Sequence, residues 1–179
     1  RESIAGDAYA AGEPGWDEAR TAWNLAVDQR PAVVVLPQNA ADIAEAVRWA
    51  RESGLQVVAQ GTGHNPIPYG DLSGALLIKT SRMREVSVDP EARTFRAEAG
   101  VVWGDVVPVA AQHGLMALQG SAHDVGVVGY ALGGGVSWLA RKHGLASESV
   151  TAIELVTADG RLVRTTETEE PDLFWALRG

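Results

Sequence analysis

A tight glycine turn directly follows an apolar segment in the first third of the chain, and it constrains the fold more than any other stretch. Residues 57–59 (Val-Val-Ala) have the form of the end of a buried strand, and the turn Gly-Thr-Gly-His-Asn-Pro follows at residues 61–66. Glycines after a strand let the backbone approach a ligand closely and leave N–H groups free to point at it. The turn therefore predicts a phosphate-binding loop, and the titratable His64 is its unusual feature.

Two other interpretations of this turn stay open. A dinucleotide-binding fingerprint needs a third glycine where Pro66 stands, and it needs a helix that starts at the loop. Pro66, Pro68 and Gly70 oppose such a helix, so the fingerprint fits poorly. The second interpretation is a tight turn that carries a surface histidine, and the turn alone does not exclude it.

Composition narrows the class of partner. The chain has 179 residues, enough for one core or two small lobes, and its net charge of -8 argues against nucleic acid and anionic membranes. No apolar run is long enough for a membrane span, and no His/Asp/Glu cluster has metal-ligand spacing, so we expect neither membrane nor metal. The absence of cysteine leaves the compartment undecided; we expect a soluble protein, cytoplasmic rather than secreted.

A strand–helix–strand unit places the glycine turn. Residues 33–36 predict a buried strand, Asn39 predicts the cap of a helix through Arg51, and residues 55–59 predict the next strand. The turn then lies at the carboxyl end of a strand, where open α/β sheets bind ligands. Further along we expect a strand at 74–80, a hairpin of 85–89 with 94–99, helices at 104–112, 138–143 and from Asp172, and strands at 149–156 and 161–165 joined by an Asp-Gly turn.

Two other features stand apart from this unit. Trp16 and Trp23 are spaced for one helix face and are interpreted as packing anchors rather than site residues. Residues 119–135 are rich in glycine but also contain Val125, Val127 and Leu132, which a flexible linker would lack. This second segment predicts backbone packed against a flat ligand, in preference to a structural glycine turn.

Taken in order, these stretches resemble the FAD-binding domain of flavoproteins of the vanillyl-alcohol-oxidase (PCMH) type, in the branch of berberine-bridge enzyme and 6-hydroxynicotine oxidases. The resemblance covers about residues 30–179. It is carried by the His64 loop, Ala99-Gly100-x-x-Trp103, the glycines of 120–135, Arg141-x-His143-Gly144-Leu145-Ala146, residues 154–160 and residues 172–179. It implies an α+β fold with two lobes and FAD held between them, as a fragment of a larger protein.

The resemblance also implies roles for single residues. His64 would be bonded to the methyl on C8 of the flavin, although Gln60 and Thr62 replace the arginine and glycine common in the family loop. Members with a doubly attached flavin carry a cysteine where Ala122 stands, so attachment here would be single. The implied cofactor-binding residues are Gln60, Gly61, Thr62, Gly63, His64, Asn65, Gly120, Ser121, Asp124, Val125, Gly126, Gly129, Tyr130, Gly134 and, near the adenine, Val156.

The implied organisation is an N-terminal extension (1–30), a first lobe (31–87) and a second lobe (88–179) that packs against a C-terminal substrate domain absent from this chain. His113 and His143 are interpreted as structural, and no catalytic residue is assigned, because the catalytic base is expected in the absent part. The expected function is an FAD-dependent oxidase that acts on a C–H bond of an alcohol, amine or sugar-like small molecule. The alternatives are a non-catalytic nucleotide-binding module and a flavin dehydrogenase with an acceptor other than O₂.

Overall fold

The computed structural model describes residues 4–179, so residues 1–3 of the predicted N-terminal extension lie outside it. The chain divides into two compact units. The first runs to Met83 and also takes in Leu155–Val163, and the second consists of Arg84–Glu154 and Arg164–Gly179. The predicted lobes, 31–87 and 88–179, are contiguous in sequence, whereas the first unit takes in a later segment.

A four-stranded sheet forms the first unit. Its strands are β1 (Asp7–Ala10), β2 (Val33–Leu36), β3 (Gln56–Gln60) and β4 (Ala75–Lys79), in the order β1-β2-β4-β3. β4 pairs in parallel with both β2 and β3, and β1 closes one edge as an antiparallel partner of β2. All five residues of β4 are buried, as expected for a central parallel strand. β4 thus lies between the two strands of the predicted strand–helix–strand unit.

Two helices cover this sheet. α2 (Ala40–Glu52) begins where predicted, because the Asn39 side chain accepts a hydrogen bond from the Asp42 N–H at 3.0 Å. Its buried Ala46, Val47 and Ala50 pack with β2 and β4. A second cluster of buried residues joins the short helix α1 (Trp16–Arg20) to β2 and β4. The prediction that Trp16 and Trp23 share a helix face is wrong, because α1 ends at Arg20 and the backbone turns extended at Thr21.

The second unit is built on a hairpin and several short helices. β5 (Val86–Asp89) and β6 (Thr94–Ala97) pair antiparallel as predicted, and α3 spans Trp103–Ala111. Its core consists of Val101, Trp103, Val106, Ala117 and Val127. The remaining helices are α4 (Val127–Leu132), α5 (Ala140–His143) and α6 (Pro171–Ala176), with 3-10 turns at Ala146–Ser149 in this unit and at Ile67–Tyr69 in the first.

Two details of this part of the chain differ from the sequence analysis. No helix was assigned within 119–135 from the sequence, and Val127–Leu132 form α4. The strand predicted for 149–156 starts too early, because the 3-10 turn occupies Ala146–Ser149 and β7 spans only Ile153–Val156. β7 pairs with β8 (Leu162–Thr165), and the chain enters the first unit at Leu155 and leaves it at Val163.

Candidate functional site

The predicted glycine loop leaves the sheet at the end of β3. Gln60 is the last residue of that strand and lies opposite Lys79 of β4. Gly63 has φ of +81°, and a Cβ there would lie 2.8 Å from both the Ala22 Cβ and the Gln60 Nε2. Only glycine satisfies both conditions, because a side chain would be strained by the backbone and blocked by its neighbours.

Two carbonyl groups of this loop are hydrogen-bonded to described residues of the protein, whereas three of its N–H groups are not. The carbonyl oxygens of Thr62 and Gly63 accept hydrogen bonds from the N–H groups of Trp23 and Asn24, at 3.0 and 3.1 Å. The N–H groups of Gly61, Thr62 and Gly63 donate to no group among the described residues. Successive backbone donors left open in a turn form a concave site for an anion.

The Gln60 side chain supplies a second sign of a ligand. It is 3% exposed, and neither its amide nitrogen nor its amide oxygen has a hydrogen-bond partner within residues 4–179. A buried amide left unbonded costs about 1–3 kcal/mol, so native proteins rarely keep one without a partner. The amide lies beside Gly63, which places this unmet capacity at the same loop as the open N–H groups.

His64 is held on two sides. Its Nδ1 lies 2.7 Å from the Thr62 hydroxyl oxygen. Its ring stacks on Trp23, with 4.0 Å between ring centroids and 14° between planes. The interpretation of Trp23 as a core packing anchor is therefore wrong, because its side chain is 56% exposed and contacts the loop histidine instead.

Two polar side chains, the buried Lys79 and the more exposed Tyr69, donate hydrogen bonds to the backbone beside the loop. The Lys79 ammonium donates a hydrogen bond to the Thr21 carbonyl at 2.6 Å, and burial lowers the pKa of Lys79. The Tyr69 hydroxyl donates to the Ala59 carbonyl at 2.9 Å, and partial desolvation raises the pKa of Tyr69. Neither residue was apparent as part of the site from the sequence, since a lysine inside a strand and a tyrosine after two prolines carry no motif.

The second glycine segment runs antiparallel to the start of α3. The N–H groups of Gly104 and Trp103 donate to the carbonyls of His123 and Val125, at 2.7 and 3.1 Å. Gly126 forms a bridge with Val102 and then caps α4 at its N-terminus. Gly129 lies inside that helix, and a Cβ there would meet nothing within 4 Å. This segment therefore has a regular structure of its own, with open space above Gly129.

A cleft of about 530 Å³ opens beside this segment, lined by Trp103, Gly104, residues 119–123 and Trp138 among others. Three buried polar atoms near it have no partner within the described part of the chain, namely the Trp103 Nε1, the Gln119 Oε1 and the Tyr130 hydroxyl. The Trp103 and Tyr130 rings meet edge to face at 5.2 Å, and burial raises the pKa of Tyr130.

The remaining predicted residues have mixed surroundings. Asn65 and Ser121 are exposed, and Asp124 and Val125 are half-buried. Gly134 is buried with φ of +94°, and its carbonyl accepts a hydrogen bond from the Ser147 N–H at 2.9 Å. Val156 packs against the cluster of β2, β4 and α2 in the first unit. The two predicted groups thus fall in different units, with Val156 in the same unit as the first loop.

No helix in the described part of the chain is long and apolar enough to cross a membrane. Among residues 4–179, no group of three histidine or carboxylate side chains is placed to hold a metal ion. The open N–H groups at a strand end and the unbonded buried amide beside them have the character of a nucleotide-binding domain.

Comparison with known proteins gives the family. The model of the FAD binding domain family matches residues 31–166, and the chain belongs to that family. The (R)-6-hydroxynicotine oxidase of Paenarthrobacter nicotinovorans is 36% identical over 177 residues, which cover 99% of this chain and 39% of that relative. The predicted FAD-binding family is confirmed.

Solved structures give the same result for the fold. The crystal structure of 6-hydroxy-D-nicotine oxidase from Arthrobacter nicotinovorans matches with a TM-score of 0.93 at 36% identity and covers 100% of this chain and 40% of that one. Glucooligosaccharide oxidase from Acremonium strictum, solved with a 6-S-cysteinyl, 8α-N1-histidyl FAD, matches with a TM-score of 0.87 at 36% identity over 97% of this chain and 37% of its own. The α+β, PCMH-type fold is confirmed, and the chain spans about two fifths of the length of these proteins.

Proposed function

We propose that this chain is the flavin-binding part of an FAD-linked oxidoreductase and that the loop Gly61–Asn65 receives the pyrophosphate of FAD. The observation that carries the proposal is the set of open N–H groups at Gly61, Thr62 and Gly63. An anion is their natural partner, and FAD is the anionic ligand of the family. The Gln60 amide, which is buried beside the loop and unbonded within residues 4–179, offers that ligand further hydrogen-bonding capacity.

The second glycine segment is proposed to face the same cofactor. Its open space at Gly129 leaves room for a flat ring, and its unbonded Tyr130 hydroxyl offers a polar contact. Val156 is proposed to lie at the adenine. The residues assigned to the segment are Gly120, Ser121, Asp124, Val125, Gly126, Gly129, Tyr130 and Gly134.

The cofactor is proposed to be attached once, through His64. Attachment forms a bond from an imidazole nitrogen to the methyl carbon on C8 and breaks one C–H bond of that methyl. The methyl and the imidazole each lose a proton, and two electrons pass through the flavin ring to dioxygen, which leaves with both protons as hydrogen peroxide. A second attachment through sulfur is not proposed, because these 179 residues contain no cysteine and Ala122 stands in the second segment.

Mass spectrometry of the full-length protein tests this attachment. Trypsin cuts after Arg51 and after Lys79, so His64 lies in the peptide of residues 52–79. We expect that peptide to be heavier by one FAD. If protein that is fully yellow gave only the unmodified peptide, the covalent proposal would fail while pyrophosphate binding by the loop could still hold. Protein with no flavin colour would favour a non-catalytic module that binds another nucleotide.

The proposed reaction is oxidation of a C–H bond in an alcohol, amine or sugar-like small molecule. FAD supplies this chemistry when bound, by accepting a hydride at N5. The chain's own residues would hold the cofactor and orient it, and the catalytic base would lie in the part of the longer protein that this chain does not span. Hydrogen peroxide formed in step with substrate oxidation is the expected result. Turnover that requires another electron acceptor would show a dehydrogenase instead.

A proposed partner is the remainder of the longer polypeptide. Val136, Trp138 and Trp175 are 72%, 79% and 75% exposed, which is unusual for large apolar side chains. The relatives are longer than this chain, so further sequence is available to cover these side chains. Residues 1–179 expressed alone should therefore bind a hydrophobic dye that the full-length protein does not bind. Equal dye binding by the two proteins would contradict this packing.

A further inference from the structure

We propose that the buried ammonium of Lys79 supplies the positive charge with which the loop Gly61–Asn65 binds the pyrophosphate of FAD. This inference rests on the proposed function and deepens it, because it names the group that favours a charged ligand over an uncharged one. Lys79 takes no part in the oxidation itself. It acts on the phosphates of the cofactor through its charge.

The loop contains no lysine or arginine of its own. Neither residue type occurs between Arg51 and Lys79, and the chain as a whole has a net charge of -8. The open N–H groups of residues 61–63 offer only partial charges, and the Gln60 amide is neutral. The pyrophosphate of FAD is dianionic at neutral pH, so these groups alone would leave it without a counter-charge.

Lys79 lies at the strand end where a cation is needed. It is the last residue of β4, and in the sheet it is paired with Gln60, the last residue of β3. Paired residues of neighbouring strands project to the same face of a sheet, so the ammonium and the Gln60 amide leave the sheet on the same side. Both side chains are buried, at 9% and 3% exposed. Because the glycine loop begins one residue after Gln60, the ammonium lies near its start.

Residues 21–24 join the ammonium to the loop. The Lys79 Nζ donates a hydrogen bond to the Thr21 carbonyl at 2.6 Å. The next residue, Ala22, packs against the loop, since a Cβ on Gly63 would lie 2.8 Å from the Ala22 Cβ. The Asn24 N–H donates to the Gly63 carbonyl at 3.1 Å. A segment that contacts the loop at two residues thus holds the ammonium beside it.

The charge of Lys79 has no counter-charge in the described part of the chain. Arg48 of the same unit is partly exposed and pairs with Glu45 at 2.7 Å. No carboxylate among residues 4–179 pairs with the more deeply buried Lys79, and burial is the single cause that lowers its pKa. Burying a charge without a partner of opposite sign is costly. A bound pyrophosphate would supply that partner.

Reversible flavin binding by full-length protein tests this charge. All proteins compared carry His64→Ala, so that no covalent bond forms, and the protein with that change alone is the parent. Lys79→Met keeps a long side chain in the buried position and removes the ammonium. FAD and riboflavin, which has the same ring system but no phosphate, are titrated by quenching of flavin fluorescence. We expect Lys79→Met to bind FAD at least about tenfold more weakly and to bind riboflavin as the parent does.

Ionic strength gives a second readout. Salt screens the attraction between an ammonium and a pyrophosphate, so the parent should bind FAD less tightly as salt is raised. Lys79→Met should lose less affinity over the same range of salt, because one charge is gone. A lysine that only supports the fold would change the binding of both flavins by the same factor and would leave the salt dependence as it is.

Two further variants complete the test. Lys142→Met removes the chain's other lysine, which is exposed on α5, and should bind FAD with the affinity of the parent. Lys79→Arg keeps a positive charge and should retain the preference for FAD over riboflavin. If Lys79→Met bound FAD as tightly as the parent, or lost affinity for both flavins equally, the role of Lys79 would be overturned while the loop proposal stood. If full-length protein of native sequence bound no FAD, the proposed function itself would fail.

Discussion

The two glycine segments look alike in sequence, yet they need glycine for different reasons. In the first loop the protein itself demands it, because Gly63 has φ of +81° and a Cβ there would lie 2.8 Å from two neighbouring side-chain atoms. In the second segment Gly129 lies within a helix, and a Cβ would meet nothing within 4 Å. Glycine at the first site is favoured by the geometry of the protein itself, and we propose that glycine at the second makes room for a ligand.

The largest expected difference between the two segments is in flavin attachment, tested by replacing His64 of the first and His123 of the second. His64→Ala should abolish acid-stable flavin, because the attacking nitrogen is gone, while His123→Ala should leave attachment complete. The measurement is the flavin that remains with full-length protein after acid precipitation. FAD should still bind reversibly to His64→Ala, since the open N–H groups of the loop are unchanged. Acid-stable flavin in that variant would show that another residue carries the link.

The next contrast concerns stability. Gly63→Ala should lower the free energy of unfolding by at least about 2 kcal/mol, because the left-handed backbone and the close contacts both oppose a side chain. Gly54→Ala is the matched control, since Gly54 has φ of +68° and open space around it. It should lose about 1 kcal/mol from backbone strain alone. Equal losses in urea unfolding would mean that the contacts of Gly63 are easily relieved.

Gly129→Ala should have a smaller effect of opposite sign on folding. Alanine favours a helix over glycine, so the free energy of unfolding should rise by about 0.5 kcal/mol. Its affinity for FAD should nevertheless fall, because the methyl group enters space that we assign to the cofactor. Isothermal titration of FAD and urea unfolding together separate the two effects. An unchanged affinity for FAD would mean that Gly129 has only a structural role and does not border the cofactor.

The smallest expected effect is the pH dependence of the free energy of unfolding that Lys79, next to the first loop, contributes. Burial lowers its pKa from the ordinary 10.5, so between the lowered value and 10.5 the unfolded chain binds more protons than the folded one. This contribution to stability therefore increases as pH rises through that window. Relative to Lys79→Met, the parent protein should gain stability between neutral pH and pH 10.5 in urea unfolding. A difference that stays constant with pH would show that the lysine titrates normally.

The sequence predicted what short-range physics decides. The cap at Asn39, the alternation of the β5–β6 hairpin and the strand before the glycine loop each depend on neighbours in the chain, and each is present. The edge strand β1 escaped prediction because Asp7–Ala10 has little apolar alternation and depends on pairing with β2. The position of β4 between β2 and β3 is likewise a tertiary choice.

The candidate site follows the same division. Its glycines and His64 were recognisable because they form a motif. Trp23 and Lys79 were not, because they act on the loop across 41 and 15 residues of sequence, through contacts that only the folded chain provides. α4 was hidden for a different reason, since Gly126 and Gly129 suppress helix propensity and the helix is held by burial of Val127 in the core of its unit.

The turn between β7 and β8 has a consequence for biosynthesis. The carbonyl of Gly160 accepts a hydrogen bond from Arg48 at 3.0 Å, and a Cβ at Gly160 would lie 2.7 Å from the Arg48 Cγ. α2 therefore receives part of its packing from residues that the ribosome adds only after the whole of Arg84–Glu154. A nascent chain that stops short of this turn leaves that surface of α2 bare, so the first unit is completed late, after most of the second has been translated.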